Sequence, residues 1–334
     1  MAVIEKRYGA TDGLIHMPDG TSHYTFGFCD ISGVPENEIF EYRGKATLLA
    51  PLLEIYEGDE IYLTLTNLGF PVRPDLDDTH TIHWHGFPNQ IPIWDGVPEA
   101  SISVPVGRNF QYYYKPLGPG TYMYHCHFEP VEHIQMGMVG PLIVRPLLEK
   151  NPVYSGRKFA YNDISSEFDR EILIFLTELD KRPHALIADV QAFDWTEYSP
   201  QYWMISGRSY PDTVNPPDDP NFPLQPYSSL MESYTGEKIL LRFVNLGFQE
   251  HSIQLLGIPL KIVGQDAKLL RGYHNEDTSY WRNTVFIAPG QTIDAICTPP
   301  RSGKYILYNR SHQKNTIDGV SFGGMITELN VIEP

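Results

Sequence analysis

The 334-residue chain is short of cysteine, of positive charge and of long apolar runs. Three cysteines cannot build a disulfide framework. Cys29 and Cys297 sit in apolar, strand-like sequence and read as buried thiols, which leaves Cys126 for chemistry. Lys and Arg number 25 against 41 Asp and Glu, a formal net charge of −16. A nucleic-acid surface needs clustered Lys and Arg, so no nucleic-acid partner is expected. The acidic surface serves solubility and suits a neutral or cationic partner. No stretch of eighteen apolar residues exists, so no membrane span is expected. The start, Met1 to Arg7, lacks the apolar core of a secretory signal. The expected location is therefore cytoplasmic, or periplasmic or extracellular if a signal has been removed.

Aromatic residues, 28 prolines and 27 glycines are plentiful, the composition of short strands joined by tight turns. The length suits two domains of about 150 residues each. Their expected bounds are 1–150 and 165–334, joined by a polar, turn-rich stretch over 146–168. Alternation from Ile61 predicts a half-buried strand. Further strands are expected over Ser101–Val106, Phe110–Tyr114, Thr121–His127 and Leu142–Val144, with Ile172–Glu178 opening the second domain. Residues 71–78 read as a loop, and the Pro- and Asp-rich stretch 198–226 as a long irregular loop, a lid or a subunit contact.

Two short stretches stand out: His80-Thr81-Ile82-His83-Trp84-His85-Gly86, and Tyr124-His125-Cys126-His127 followed by His133 and Met138. Residues i and i+2 of a strand point the same way. So His83 and His85 share one face, His125 and His127 share another, and Cys126 points to the opposite side. One strand can thus serve two metal sites. His80, His133 and Met138 lie within reach of the thiolate, and two imidazoles, a thiolate and a weak axial thioether form a blue-copper ligand set. Zinc accepts N and S ligands, but an axial Met suits it poorly. Met136 is a rival to Met138. His16 and His23 read as structural or surface residues.

His-x-x-His-x-His-Gly paired with His-Cys-His-x5-His-x4-Met resembles the copper signature of multicopper oxidases. Trp94-Asp95-Gly96 and Gly120-Thr121-Tyr122 fit the same family. The resemblance implies an all-β fold of two cupredoxin-like, Greek-key sandwiches of antiparallel strands. It implies type 1 copper on His80, Cys126, His133 and Met138, the family spacing favouring Met138 over Met136. It also implies half of a type 2/type 3 cluster on His83, His85, His125 and His127. Electrons would leave a small-molecule or metal-ion donor at type 1 copper and reach oxygen at the cluster. Asp95 would assist proton delivery there, although Asp-Gly is also ordinary turn chemistry. Glu129, Glu132 and Asp95 are candidates to accept the second N–H of a ligand imidazole.

The halves repeat. Gly58 to Phe70 recurs as Gly236 to Phe248, with Asn-Leu-Gly-Phe intact. His80 aligns with His251, but His83 and His85 align with Gln254 and Leu256. His125, Cys126 and His127 fall opposite Tyr308, Asn309 and Arg310. The second domain therefore has no type 1 site and offers only His251, His312 and His274 to a shared cluster. Two-domain multicopper oxidases, which this chain resembles, are trimers that share each cluster between subunits, so a homotrimer is expected. Three readings stay open. In the first, a reduced cluster is completed by His312 or His251 of a neighbour. The second is a site like that of copper nitrite reductases, with His251 at the catalytic position. The third is a type 1 electron carrier without a working cluster.

Overall fold

The computed structural model describes residues 2–334. The first half is built from β1 (Val3–His16), β2 (Ser22–Asp30), β3 (Leu53–Tyr56), β4 (Glu60–Asn67), β5 (His83–His85), β6 (Asn109–Tyr114), β7 (Gly120–His125), α1 (Pro130–Met136) and β8 (Val139–Arg145). One sheet runs β2-β1-β4-β6 and the other β3-β8-β7-β5. Between them lies a core of Tyr8, Phe26, Phe28, Leu63, Trp84, Tyr112, Tyr124 and Leu142, all buried. The side chains that alternate inward from each strand supply it.

A small hairpin, β9 (Lys158–Phe159) and β10 (Glu167–Phe168), lies in the connection. The second half follows with β11 (Arg170–Leu179), α2 (Lys181–Ala188), β12 (Tyr202–Ile205), β13 (Met231–Tyr234), β14 (Ile239–Asn245), β15 (His251–Leu255) and β16 (Leu260–Gln265). It ends with β17 (Lys268–Leu269), β18 (Tyr280–Arg282), β19 (Val285–Ile287), β20 (Gln291–Cys297), β21 (Gly303–Asn309), β22 (Thr316–Ile317), β23 (Ser321–Phe322) and β24 (Ile326–Ile332). Its sheets run β17-β16-β20-β14-β11-β12-β22-β23, with β18 on β16, and β13-β24-β21-β15-β19. A separate core of Ile174, Leu241, Phe243, Ile253, Leu307 and Leu329 fills it. The repeat is thus structural: β1, β4 and β6 correspond to β11, β14 and β20, and β3, β8, β7 and β5 to β13, β24, β21 and β15.

Several details depart from the sequence expectation. The strands are not all antiparallel: β1 runs parallel to β4 and β3 to β8, as do β11 to β14 and β13 to β24. Each pair is joined by a long crossover, which brings the later strand in along the same direction. Ser101–Val106 forms only a bridge, between Val104 and His80. The Pro-rich stretch 198–226 contains β12, whose four residues are all buried. Among the described residues, no helix is long and apolar enough to cross a membrane.

Candidate metal centre

β5 and β7 pair antiparallel, with His83 opposite His125 and His85 opposite Met123. The alternation read in the sequence is realised: Cys126 turns into the first-half core, while His125 turns to the other side with His83 and His85. Just beyond β7 the chain makes a helical turn, α1, which starts on Pro130 and ends on Gly137 in the left-handed region. A proline at the first turn and a glycine after the last residue are favoured helix boundaries. α1 carries His133 back over Cys126.

In the thiolate pocket, the ligand atoms of His80, Cys126 and His133 lie within 4.8 Å of one another. His133 Nδ1 is 3.2 Å from Cys126 Sγ. All three residues, and Met136 and Met138, are fully buried. Neither ring nitrogen of His80 has a hydrogen-bond partner among the described residues, and His133 Nε2 has none either, its nearest carboxylate oxygen being Asp78 Oδ2 at 3.8 Å. Buried polar atoms are rarely left so. Burial holds His80 well below the ordinary histidine range and His133 down at about 3, so both imidazoles are neutral and offer lone pairs. Burial pushes the Cys126 thiol up to about 12. The Thr81 amide points at the sulfur from 3.4 Å, ready to stabilise a thiolate. A soft cation that displaces the thiol proton meets every one of these needs.

In the second cluster, ligand atoms of His83, His85 and His125 also lie within 4.8 Å of one another. The His127 ring centroid is 5.0 Å from that of His83 and 5.7 Å from that of His125. His83 Nδ1 donates to the Asp95 carbonyl at 2.8 Å, and His125 Nδ1 to the Cys126 carbonyl at 2.8 Å. These bonds leave Nε2 of both rings as the lone-pair nitrogen. His85 Nδ1 faces His125 Nε2 at 3.2 Å, and the outer side of the His85 ring rests on the Gly290 backbone. Burial lowers the pKa of His83, His85 and His125, most strongly for His125. The Asp95-Gly96 turn packs directly on β5: a Cβ on Gly96 would sit 2.1 Å from the Ile82 carbonyl oxygen, at φ +73°. That contact sets Asp95 against His83, with Asp95 Oδ1 3.3 Å from His83 Nδ1.

The second-half histidines lie elsewhere. His251 is buried in its own half, with Nε2 3.4 Å from Glu178 Oε2. His312 is exposed and stacks on Tyr308, and His274 is exposed. Glu132 and Asp78 gather near His133; burial, with repulsion from Asp78 and Glu129, raises Glu132 to about 7, and burial, with repulsion from Glu129 and Asp77, raises Asp78 to about 6. The Cys126 carbonyl was not anticipated as the partner of a ligand ring, nor Asp78 as a carboxylate close to His133. A carboxylate in a loop and a backbone oxygen leave no motif.

Residues 29–149 match the family described as multicopper oxidase. Laccase-3 of Oryza sativa subsp. japonica is 26% identical over 286 residues, covering 84% of this chain and 44% of that protein. A copper resistance protein A homolog of Pseudomonas syringae pv. tomato is 27% identical over 324 residues, covering 85% of this chain and 49% of that protein. The chain thus spans about half the length of these relatives. Among solved structures, the blue copper oxidase of Nitrosomonas europaea has TM-score 0.73 at 24% identity, covering 98% of this chain and 86% of that chain. The copper nitrite reductase of the same organism has TM-score 0.65 at 18% identity, covering 99% and 94%. Residues 29–149 therefore resemble a multicopper-oxidase domain, set in a chain whose two β-sandwiches share the fold of multicopper oxidases and copper nitrite reductases.

Proposed function

We propose that this chain is a copper-dependent, laccase-like oxidoreductase that takes electrons from a small-molecule or metal-ion donor and delivers them to oxygen. The observation that carries this reading is the pair of clusters either side of Cys126, each with lone pairs converging on one point. When bound, copper would supply one-electron redox chemistry at the first cluster and oxygen reduction at the second. The protein's own part is holding and connecting. His80, Cys126 and His133 form a dry pocket that would hold copper, and Met138, buried beside them, would contribute its thioether. Cys126 is bonded through the chain to His125 and His127, and the 2.8 Å bond from His125 Nδ1 to the Cys126 carbonyl adds a second short connection. Asp95 orients His83 through its carbonyl, and its carboxylate, 3.3 Å from the same ring nitrogen, would pass a proton into the second cluster.

Copper per chain after reconstitution, read with visible absorption and electron paramagnetic resonance, tests this. Three or four coppers, with oxygen uptake on a phenolic donor, are expected. One copper with only a type 1 signal would leave an electron carrier. Two, with type 1 and type 2 signals and turnover of nitrite, would favour the nitrite-reductase-like arrangement.

The repeat supports a homotrimer built head to tail. A Cβ on Gly120 of the first half would meet Ala267 at 2.7 Å and one on Gly290 of the second would meet His85 at 3.4 Å, so the second half covers this face of the first. The counterparts, Gly303 and Gly107, have nothing within 4 Å. Leu256, the counterpart of His85, is 53% exposed, and Phe286 on the same sheet is 60% exposed. A neighbouring copy is the natural cover for this face. His312 or His274, rather than the buried His251, would then be the histidine a neighbour offers. Light scattering should return three times the chain's mass, and Leu256→Glu should reduce it to one. A monomeric wild type that keeps full second-cluster copper would remove the case for a shared site.

A further inference from the structure

The second half repeats the thiolate pocket position by position. Strand register pairs His83 with His125 in the first half and Gln254 with Tyr308 in the second. The Cys126 amide donates to the Met138 carbonyl at 3.1 Å, and the Asn309 amide to the Met325 carbonyl at 3.1 Å. His80, Cys126 and Met138 therefore correspond to His251, Asn309 and Met325.

The pockets differ in how their buried polar atoms are met. His80 has both ring nitrogens unpartnered. In the second pocket, Asn309 Oδ1 accepts from the Ser311 amide at 2.9 Å, which fixes the side-chain NH2 inward. That NH2 lies 3.0 Å from His251 Nδ1 and 3.2 Å from Met325 Sδ. His251 Nδ1 is thus an acceptor, and Nε2 carries the hydrogen and faces Glu178. The remaining side is filled by Lys314, which is 4% exposed. Its ammonium donates to the Glu250 carbonyl at 2.6 Å, sits 3.4 Å from His251 Nδ1 and lies over the Trp203 ring at 5.0 Å. Glu178, 2% exposed, is the buried anion it accompanies.

We propose that Lys314 is an internal cation that occupies the metal position of the second pocket and excludes a metal ion from it, confining this kind of buried pocket site to the first half. The inference rests on reading the first pocket as a thiolate metal site. An ammonium already 3.4 Å from the imidazole nitrogen leaves no room for an ion there. It would also repel a divalent cation across a poorly screened distance. Removing it leaves Glu178 with the Tyr198 hydroxyl and the Phe248 and Gln249 amides but without its nearby cation, which lowers stability.

The test uses the full chain in a Cys126→Ser background, titrated with Co2+ and read as thiolate-to-cobalt absorption. Cys29 and Cys297 remain and set the baseline. Adding Asn309→Cys alone should leave metal content unchanged. Adding Asn309→Cys with Lys314→His should bind one further Co2+ per chain with a new thiolate band. An extra ion with Asn309→Cys alone would overturn the excluding role of Lys314. A folded double variant that binds none would overturn the equivalence of the pockets. Should the double variant not fold, Lys314→Met decides: its Tm should fall by roughly 5 °C or more, and an unchanged Tm would overturn the proposal. Failure of the first-pocket reading appears separately, as a chain with native Cys126 that gives no thiolate–cobalt band.

Discussion

Cys126→Ser is expected to abolish blue absorption, lower bound copper by one per chain and cut turnover by more than the ~10–100-fold typical of changes behind the ligands. A serine hydroxyl has nearly the shape of the thiol but does not ionise to a soft anion. The pocket around it keeps its neutral, unpartnered imidazoles, so the loss should be chemical. Far-UV circular dichroism should be unchanged. The 0% exposure of Cys126 keeps the site dry in both proteins. His125 and His127 should retain their own copper in the variant, since their rings face away from position 126. A variant that stays blue and active would sink the assignment of Cys126 as the ligand.

Arg242→Met is expected to have the largest effect on stability. The Arg242 side chain is 1% exposed and stands at the joint between the halves. It donates through Nε to Glu171 at 2.7 Å and through Nη1 to Thr121 Oγ1 at 2.9 Å, with Asp294 Oδ1 at 3.7 Å. Asp294 also accepts from the hydroxyls of Thr121 and Tyr161, both at 2.6 Å. Glu171 in turn binds Arg145 of the first half, which reaches Glu54 at 2.9 Å. Methionine would fill the volume and leave Asp294 buried without its cation. Removing one partner of a buried pair costs about 3–5 kcal/mol, a fall in Tm on the order of 10 °C. Burial alone would raise the Glu171 pKa, but the guanidiniums of Arg242 and Arg145 outweigh it and hold the carboxyl below its usual range. Its contribution is therefore present at neutral pH and lost as pH falls through the depressed native value. A variant melting within about a degree of the parent would show that the network contributes nothing net.

Much of the site was legible in the sequence because alternation is a local rule. His83 with His85, and His125 against Cys126, follow from the two-residue period alone, and the repeat exposed the loss of His83 and His85 at Gln254 and Leu256. The parallel pairing of β1 with β4 was not legible, because pairing across a crossover depends on the whole topology. α1 was missed because seven residues carry little periodicity, although Pro130 and Gly137 bound it. β12 was hidden by its Pro-rich surroundings. The setting of His251 was beyond reach for a different reason: Glu178 is 73 residues away in the chain, and only the packing of one sheet on the other brings it alongside.

The open faces at Gly107 and Gly303 have a consequence for assembly. A contact between unlike faces does not limit itself to a pair; it closes into a ring only when the rotation per chain divides a full turn, and otherwise it grows into a filament. In the proposed head-to-tail assembly that rotation would be set where the halves meet, at Thr121, Arg242, Asp294 and Glu171. The ion network at the joint would then govern the number of chains in a closed particle, and loosening it would make copy number, before activity, the first property to become ill-defined.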